Sequence, residues 1–315
     1  MKTKIKYFLP VFAIVTGLYF CSCHTDLALP EYKTRNVIVL VIDGPRYSET
    51  WGDSSHQYIP HFSGLAGQGT VFTNFYNDGI TNTMSGHGAL TTGFYENLNN
   101  GGFENPMYAS FMQYWSEKYH AEEKACWLIA SKDKLEALRN CKDVYYKNNK
   151  MPSVDCGNSG LGSGYRNDSL TFSKVMSTLK TYHPRLMLIN FKEPDASGHA
   201  ANWNGYLQGI MNTDRYLGDL WNFLQTDPFY ANSTTLFVTN DHGRHLDGWQ
   251  DGFVSHGDTC MGCRHINLLA LGPDFKTGHV ETGRYDQTDI PVTIAELFGF
   301  DMPHAQGDVM STIFK

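Results

Sequence analysis

Carboxylate and imidazole side chains recur in this sequence directly after stretches that are typical of buried strands. These residues are Asp43 after 36–42, Asp195 and His199 after 185–191, and Asp241 and His242 within 234–243. Because the carboxyl ends of parallel strands share one edge of a sheet, the side chains are expected to converge there. His256 follows closely enough to reach the same edge. Such a mixture of carboxylate oxygens and imidazole nitrogens suits zinc, and it suits manganese or magnesium less well.

The segment 82–90, with the sequence NTMSGHGAL, could bring a nucleophile to this edge. It is small and polar at first and then apolar, which is typical of a loop that leads into the N-terminus of a helix. Such a terminus attracts anions. A metal bound to the hydroxyl of Thr83 would lower its pKa and produce an alkoxide. We therefore predict Thr83 as the nucleophile, with Ser85 as the alternative.

The elements that must position these residues alternate between strands and helices. Strand patterns cover 36–42, 70–76, 125–130, 185–191, the start of 234–243 and 266–271, and helical patterns cover 59–66, 107–119, 133–138, 169–182, 206–224 and 289–298. This alternation predicts an α/β fold with a mostly parallel central sheet and helices on both faces. Residues 141–167 show little periodicity and are predicted to leave the core, as a candidate lid. We expect a single catalytic domain over 35–315 with this insertion.

The first 22 residues have the pattern of a signal peptide. Lysines at positions 2, 4 and 6 precede an apolar run that is too short for a membrane span. The residues FCS before Cys23 are similar to a bacterial lipoprotein cleavage box, which would make Cys23 the lipidated residue and 23–34 a tether. Phe stands where Leu is usual, so cleavage without lipidation stays open. Either way we predict export to the periplasm or cell surface, with membrane contact only through the lipid.

Export would place the cysteines in an oxidising compartment. Cys260 and Cys263 form a CxxC motif, which by itself fits a zinc half-site, a redox pair or a small disulfide loop. Since no second CxxC accompanies it, a disulfide is favoured. Cys141 and Cys156 are the second predicted disulfide pair.

The composition excludes one class of partner. A net charge of -7 provides no basic surface for a nucleic-acid duplex. A small anionic substrate would need local cations, and bound metals would supply them.

The order of the motifs resembles the alkaline phosphatase superfamily, and within it the nucleotide pyrophosphatase/phosphodiesterase family. The motifs are NVIVLVIDG, TNTMSGHGALTTGFY, EPDASGH, TNDHG, SHG followed by NLLALGPDFK, and TDIPVTIAELFG. They extend over nearly the whole mature chain, and six motifs in one order are far more specific than any single one. The resemblance implies a three-layer α/β sandwich that hydrolyses small phosphate esters with two divalent metal ions, of which zinc is the favoured one.

The resemblance also assigns roles to individual residues. It implies one metal held by Asp43, Thr83, Asp241 and His242, and a second metal held by Asp195, His199 and His256. It further implies that the amide of Asn105 steadies a phosphoryl oxygen. Relatives carry Pro-Asn after the nucleophile, where this chain has Ser85 and Gly86. The CxPxR motif of sulfatases does not occur in this sequence, so sulfate esters are not expected as main substrates.

Several activities fit this pattern. The first choice is cleavage of a phosphodiester or pyrophosphate, with Thr83 attacking phosphorus and water then cleaving the phosphothreonine. The alternatives are a phosphomonoesterase, a transferase of a phosphoryl-containing head group, and a metal-stabilised surface binding protein without catalysis. His245 and His265 lie near enough to the motifs to compete with His256 as ligands.

Overall fold

Strand β1 (Asn36–Asp43) is buried along its whole length and separates two apolar layers. A computed structural model describes residues 31–315 of the chain. In it, Val39 belongs to one apolar cluster and the next residue, Leu40, belongs to another. Successive side chains of a strand point to opposite faces, so this alternation places one core on each side of the sheet. A sheet covered on both faces is what the near-continuous apolar stretches predict.

The central sheet of residues 31–315 has nine strands. The other strands are β2 (Thr70–Tyr76), β3 (Cys126–Ala130), β4 (Ser153–Cys156), β5 (Leu186–Pro194), β6 (Thr234–Asn240), β7 (His265–Leu271), β8 (His279–Glu281) and β9 (Tyr285–Asp286). Their order is β4-β3-β5-β1-β6-β7-β2-β8, with β9 beside β2. Strand β7 runs antiparallel to β6 and β2, and the other pairs are parallel. The predicted mostly parallel α/β sheet is confirmed.

Helices cover both faces of this sheet. They are α1 (Pro60–Leu65), α2 (Thr83–Thr92), α3 (Phe111–Lys118), α4 (Asp168–Tyr182), α5 (Asp195–His199), α6 (Trp203–Thr226), α7 (Met261–Arg264) and α8 (Asp289–Phe298). Helices α2, α3 and α8 pack on the face of Val39, whereas α1, α4 and α6 pack on the face of Leu40. The result is the three-layer sandwich that the resemblance implies.

The structure differs from the sequence-based expectations in local detail. The helix expected over 107–119 begins only at Phe111, because Ser110 and Gln113 form a capping box there. The segment 133–138 is a 3-10 helix, Asp133–Arg139. The excursion over 141–167 contains β4, which pairs with β3 and extends the sheet. Part of the excursion is therefore the edge of the core.

The N-terminal predictions fall outside this description. The signal peptide over 1–22, Cys23 and most of the tether precede residue 31. Within the described range, no helix combines the length and the apolar character that a membrane span requires.

Candidate metal centre

The carboxyl ends of β1, β5 and β6 bring the predicted ligands to one edge of the sheet. Strand β1 lies between the other two, and Ile42 is paired with Asn240 just before Asp43 and Asp241. Asp195 follows β5 at the start of α5. Three segments that are far apart in sequence therefore end side by side, as the parallel topology requires.

One cluster consists of Asp43, Asp241 and His242. All three side chains are buried, and one donor atom from each lies within 4.8 Å of the other two. The Nε2 atom of His242 is 3.3 Å from Asp241 Oδ2 and 3.6 Å from Asp43 Oδ1. His242 Nδ1 lies 2.9 Å from the carbonyl oxygen of Gly243, so the proton belongs on Nδ1 and Nε2 presents its lone pair.

This cluster fits a divalent cation on two grounds. Among residues 31–315, Asp241 Oδ2 and His242 Nε2 are buried atoms without a hydrogen-bond partner. In addition, burial raises the pKa of Asp43, and the nearby carboxylate of Asp241 raises it further. A metal ion would satisfy both orphaned atoms and would allow the two carboxylates to be ionised together.

A second cluster consists of Asp195, His199 and His256. The two Nε2 atoms are 3.1 Å apart, and they lie 3.3 and 3.4 Å from Asp195 Oδ1. His256 Nδ1 lies 2.7 Å from the carbonyl oxygen of Thr81, which orients its ring. The rings of His242 and His256 stack with centroids 3.7 Å apart. The two clusters are therefore in direct contact.

Lys132 lies between the two clusters, and its residue type gives no sequence signal of a metal site. Its Nζ atom is 2.8 Å from Asp43 Oδ1, 2.6 Å from Asp195 Oδ2 and 3.1 Å from Thr83 Oγ1. Burial alone would lower the pKa of Lys132, but the carboxylates of Asp195 and Asp43 raise it above its ordinary value. The buried ammonium is therefore charged, and it joins one carboxylate of each cluster to the predicted nucleophile.

Arg244 is a second buried cation beside the centre. Its guanidinium pairs with Asp195 Oδ1 and lies 3.3 Å from His199 Nδ1. It also donates to the carbonyl oxygens of Phe253 and Val254. Asp195 is thus engaged by Lys132 on one oxygen and by Arg244 on the other, so a metal in the second cluster would share this carboxylate with both cations.

Thr83 reaches the centre from the N-terminus of α2. Asn82 caps this helix by accepting from Ser85 N, at 2.9 Å. Gly86 permits the close approach, because a Cβ atom there would lie 2.4 Å from the carbonyl oxygen of Asp241. Ser85, the alternative nucleophile, accepts instead from Leu98 N, at 3.0 Å. The geometry favours Thr83 over Ser85.

Two buried polar side chains, His87 and Asn190, contact the residues of the first cluster. His87 Nδ1 lies 2.9 Å from the carbonyl oxygen of Thr83 and 3.3 Å from Asp241 Oδ2. Asn190 donates to Asp43 Oδ2 at 3.2 Å, and its amide nitrogen lies 3.1 Å from His87 Nε2. Both side chains are fully buried, so they fix the orientation of the residues above them.

The structure does not bring Asn105 into this centre. Its amide donates to the carbonyl oxygen of Ala137, at 2.7 Å, because the loop around it packs against the 3-10 helix that follows β3. Asn100 is the asparagine beside the nucleophile helix instead. Its Oδ1 atom accepts from Met84 N and from Lys134 Nζ, each at 3.1 Å. The predicted role of Asn105 is therefore corrected, and Asn100 takes the position next to Thr83.

The cysteines also differ from the prediction. The five within residues 31–315 are free thiols, so neither predicted disulfide is formed. Cys156 lies on β4, and its sulfur is 3.9 Å from the carbonyl oxygen of Leu128. Cys260 and Cys263 do lie close together, in a cluster with His245 and Asp258.

Two competing histidines lie elsewhere. His265 stacks against Tyr47 and Tyr76, with Nε2 at 3.1 Å from the carbonyl of Thr73. His245 has one ring nitrogen near Asp251 and the other near Asp258. The nitrogen atoms of both rings therefore contact other groups, and the geometry favours His256 as the ligand at the metal centre.

The fold is similar to that of solved proteins of the alkaline phosphatase superfamily. A protein of that superfamily from Vibrio parahaemolyticus has a TM-score of 0.67 at 15% identity, over 89% of this chain and 70% of the other. Murine ectonucleotide pyrophosphatase/phosphodiesterase 5 has a TM-score of 0.64 at 16% identity, and the match covers 89% of this chain and 100% of the murine chain. An inactive variant of that murine protein, with a threonine replaced by alanine, has been solved in complex with AMP.

The sequence comparisons define the family. The family model for type I phosphodiesterase / nucleotide pyrophosphatase matches residues 37–245, and the chain belongs to this family. A 2,3-bisphosphoglycerate-independent phosphoglycerate mutase from Gracilaria tenuistipitata var. liui is 25% identical over 143 residues, which are 44% of this chain. The match spans only 26% of that mutase.

Proposed function

We propose that this chain is a two-metal phosphoester hydrolase with Thr83 as its nucleophile, and that phosphodiesters or pyrophosphates are its substrates. The observation that carries this proposal is the position of Lys132. Its ammonium contacts Thr83 Oγ1, Asp43 and Asp195 at 2.6 to 3.1 Å. Because a single nitrogen reaches all three, the hydroxyl lies close to one carboxylate of each ligand cluster, where it could attack a phosphoryl group.

The residues present fit two metal ions to different degrees. Asp43, Thr83, Asp241 and His242 would hold one ion, for which the orphaned atoms of Asp241 and His242 provide the strongest support. Asp195, His199 and His256 would hold the other. When bound, such ions withdraw charge from phosphate oxygens and lower the pKa of a coordinated hydroxyl. The nitrogen-rich donor set favours zinc.

The side chains of this protein would then act in two steps. The Thr83 hydroxyl releases its proton to solvent, its oxygen attacks phosphorus, the bond to the leaving oxygen breaks, and the leaving group departs with a proton from solvent. Water next attacks the phosphothreonine, which releases the phosphate product and returns the hydroxyl of Thr83. Lys132 donates a hydrogen bond to Thr83 Oγ1 and so favours its ionised form. The first step requires no separate general acid from the protein.

The substrate class follows from the family and from one relative. The chain belongs to a family of phosphodiesterases and nucleotide pyrophosphatases. The murine relative binds AMP in the variant that has lost a threonine. A nucleotide-type diester or pyrophosphate is therefore the first substrate to test. Initial rates of the zinc-loaded protein on bis-p-nitrophenyl phosphate and on p-nitrophenyl phosphate decide between the two ester classes, and a strong preference for the monoester would reverse this assignment in favour of a phosphomonoesterase.

The nucleophile is tested by substitution within one helix. Thr83→Ala should reduce kcat/KM by at least about 10³-fold, because removal of a nucleophile has effects of that scale or larger. Thr91→Ala is the matched control, since among residues 31–315 the Thr91 hydroxyl bonds only to the carbonyls of His87 and Gly88 within the same helix. Full activity of Thr83→Ala would refute the assignment, and Ser85→Ala would then be examined as the alternative.

The same measurements address the two remaining activities. A head-group transferase would show little turnover until an acceptor alcohol is added, so rates are compared with and without added glycan or glycerol. A binding protein without catalysis would show no turnover of any ester when it is loaded with metal. Either result replaces hydrolysis as the proposed activity.

We also propose that the chain is exported and anchored by a lipid on Cys23. The support is the basic and apolar pattern before this residue. In bacteria grown with labelled palmitate, the full-length chain should acquire the label and Cys23→Ser should not. If the exported protein carried no labelled palmitate, cleavage without lipidation would be supported. Retention of the protein in the cytosol would contradict the proposal of export.

A further inference from the structure

Four side chains of metal-ligand type gather outside the catalytic centre, at the base of the segment that connects β6 to β7. They are His245, Asp258, Cys260 and Cys263, and one donor atom of each lies within 4.8 Å of the other three. His245 and Cys263 are buried, and the other two are partly exposed. This cluster of two sulfurs, one nitrogen and one oxygen is not used by the proposed hydrolysis.

The orientation of His245 points to a missing ligand. Its Nδ1 atom lies 3.1 Å from Asp251 Oδ1 and 3.2 Å from Ser255 Oγ, so the ring proton belongs on Nδ1. The Nε2 atom then presents a lone pair to Asp258 Oδ2, 3.2 Å away. In the described part of the chain this buried Nε2 has no hydrogen-bond partner. Two acceptor atoms at this distance repel each other unless a proton or a metal cation lies between them.

The supporting contacts are those of a metal site. A carboxylate that holds the far nitrogen of a ligating imidazole fixes its tautomer, and Asp251 has this position relative to His245. Asp258 is held by Trp249 Nε1 at 3.1 Å and by Cys260 N at 2.9 Å. These hydrogen bonds orient the Asp258 carboxylate towards the imidazole of His245 and the two thiols.

We propose that His245, Asp258, Cys260 and Cys263 bind a structural zinc ion that is separate from the catalytic metals. Two thiolates, one imidazole and one carboxylate complete a tetrahedral set, and sulfur donors select zinc over magnesium or calcium. The CxxC spacing is the usual one for two thiolates on one ion. A site with four protein ligands keeps no position open for a substrate, so its role is structural.

The position of this ion explains what it would stabilise. The segment between His245 and Asp258 carries the metal ligand His256, and it follows directly on Arg244, which pairs with Asp195. Hydrogen bonds from Gly243 N to Cys263 O, at 2.7 Å, and from His245 N to Ser255 O, at 3.1 Å, close the base of the segment. The zinc ion would fix both ends of this segment and hence the position of His256.

The test is zinc content combined with X-ray absorption spectroscopy on the full chain. The double variant Asp241→Asn/His242→Ala weakens the first catalytic cluster, and we expect it to retain a tightly bound zinc with sulfur scatterers at about 2.3 Å. Cys260→Ser/Cys263→Ser should lose about one zinc per chain relative to wild type. Cys156→Ser, at another buried cysteine, should lose none.

Wild-type protein provides a measurement that does not depend on how the variants fold. Its cobalt-substituted form should show thiolate-to-cobalt charge-transfer absorption. Zinc without sulfur scatterers, or a Cys260–Cys263 disulfide in protein prepared with zinc present, would overturn the proposal. Because the sulfur signal is read without any assay of turnover, its loss is distinguishable from a failure of the proposed hydrolase activity.

Discussion

The Nε2 atom of His242 lies 3.3 Å from the Oδ2 atom of Asp241, and neither atom has a hydrogen-bond partner among residues 31–315. Both side chains are fully buried. An unsatisfied buried polar group costs about 1–3 kcal/mol, and two such groups facing each other add electrostatic repulsion. A cation bound between them would remove both penalties, so the stability of this fold should depend on metal.

Removal of the metal should lower both stability and activity. A ligand that binds only the folded state stabilises it by about 2.7 kcal/mol at a free concentration one hundred times its dissociation constant. Dialysis against a chelator should therefore lower the Tm, and added zinc should restore it. Differential scanning calorimetry with parallel rate measurements checks this prediction.

The variant Asp241→Asn provides the control for this experiment. It removes one negative charge from the first cluster and so weakens metal binding there. The difference in Tm between the metal-loaded and the chelated protein should therefore be smaller for this variant than for the wild type. A Tm of the wild type that is unchanged by chelation would contradict the metal assignment.

Lys132→Met should destabilise the chain more strongly without metal than with it. Without metal, the variant leaves the carboxylates of Asp43 and Asp195 without their shared cation. Breaking a buried ion pair costs about 3–5 kcal/mol, so the metal-free variant should be strongly destabilised. Bound metal would replace much of the lost positive charge, and the deficit should shrink. Denaturant unfolding with and without zinc measures the difference.

Lys132→Met should also slow the reaction, because Thr83 loses a hydrogen-bond donor. Thr83 Oγ1 is the leaving oxygen when water cleaves the phosphothreonine, and a single donor to such a developing oxyanion is worth about 10²–10³ in kcat, so we expect a loss within that range. Lys192→Met is the matched control at the same sheet edge, since in the described part of the chain the Lys192 ammonium pairs only with its neighbour Glu193, at a partly exposed site. An equal effect of both substitutions would rule out a specific role for Lys132.

Sequence reasoning predicted the sheet well because its strands are long and apolar. Strand β1, for example, extends just one residue beyond the predicted 36–42. The short strand β4 was missed, because four residues with two partly exposed side chains carry no periodic signal. Its position at the sheet edge depends on pairing with β3, which a local pattern does not encode.

The candidate metal centre is predictable where residue type and strand end coincide. Asp43, Asp241 and His242 satisfy that rule. Lys132 satisfies it only in position, because it follows β3 at the same edge, whereas a lysine is not a metal-ligand type. Asn105 shows the opposite error, since the motif likeness selected a residue whose loop packs elsewhere. Loop conformation, which tertiary contacts determine, is what the sequence does not reveal.

The metal-free protein should lose stability in mild acid through His242. Burial lowers the pKa of His242 from 6.5 to about 3. A group whose folded pKa is depressed stabilises the fold fully above the unfolded pKa, and this contribution is lost as the pH falls towards the folded pKa. The free energy of unfolding of the chelated wild type should therefore decrease from pH 6.5 towards pH 3.

Substitution of the histidine identifies the source of this pH dependence. His242→Asn should flatten the curve of unfolding free energy against pH within that window. His120→Asn is the control, because His120 is exposed and asparagine tolerates its left-handed backbone, φ 47°. An identical pH dependence in wild type and His242→Asn would assign the effect to other groups.

Gly86→Ala tests whether close contact between α2 and the end of β6 positions the nucleophile. In a helix interior, replacing glycine by alanine normally stabilises by about 0.5–1 kcal/mol. At this position the new Cβ atom would lie 2.4 Å from the carbonyl oxygen of Asp241 and 3.1 Å from its Cβ. We expect a destabilisation of about 1–3 kcal/mol instead, as for other overpacked sites, and a fall in kcat as Thr83 moves away from the ligands.

Gly64→Ala in helix α1 makes the comparison specific. Apart from its chain neighbours and the nearby backbone of its own helix, no atom of residues 31–315 lies within 4 Å of a Cβ built at Gly64, so the ordinary gain in stability should appear there. Chemical denaturation and kcat are measured for both variants under the same metal-loaded conditions. If Gly86→Ala instead gained stability and kept its activity, α2 could shift without displacing Thr83. In that case the absence of a Cβ atom at residue 86 would not be what positions Thr83 relative to Asp241.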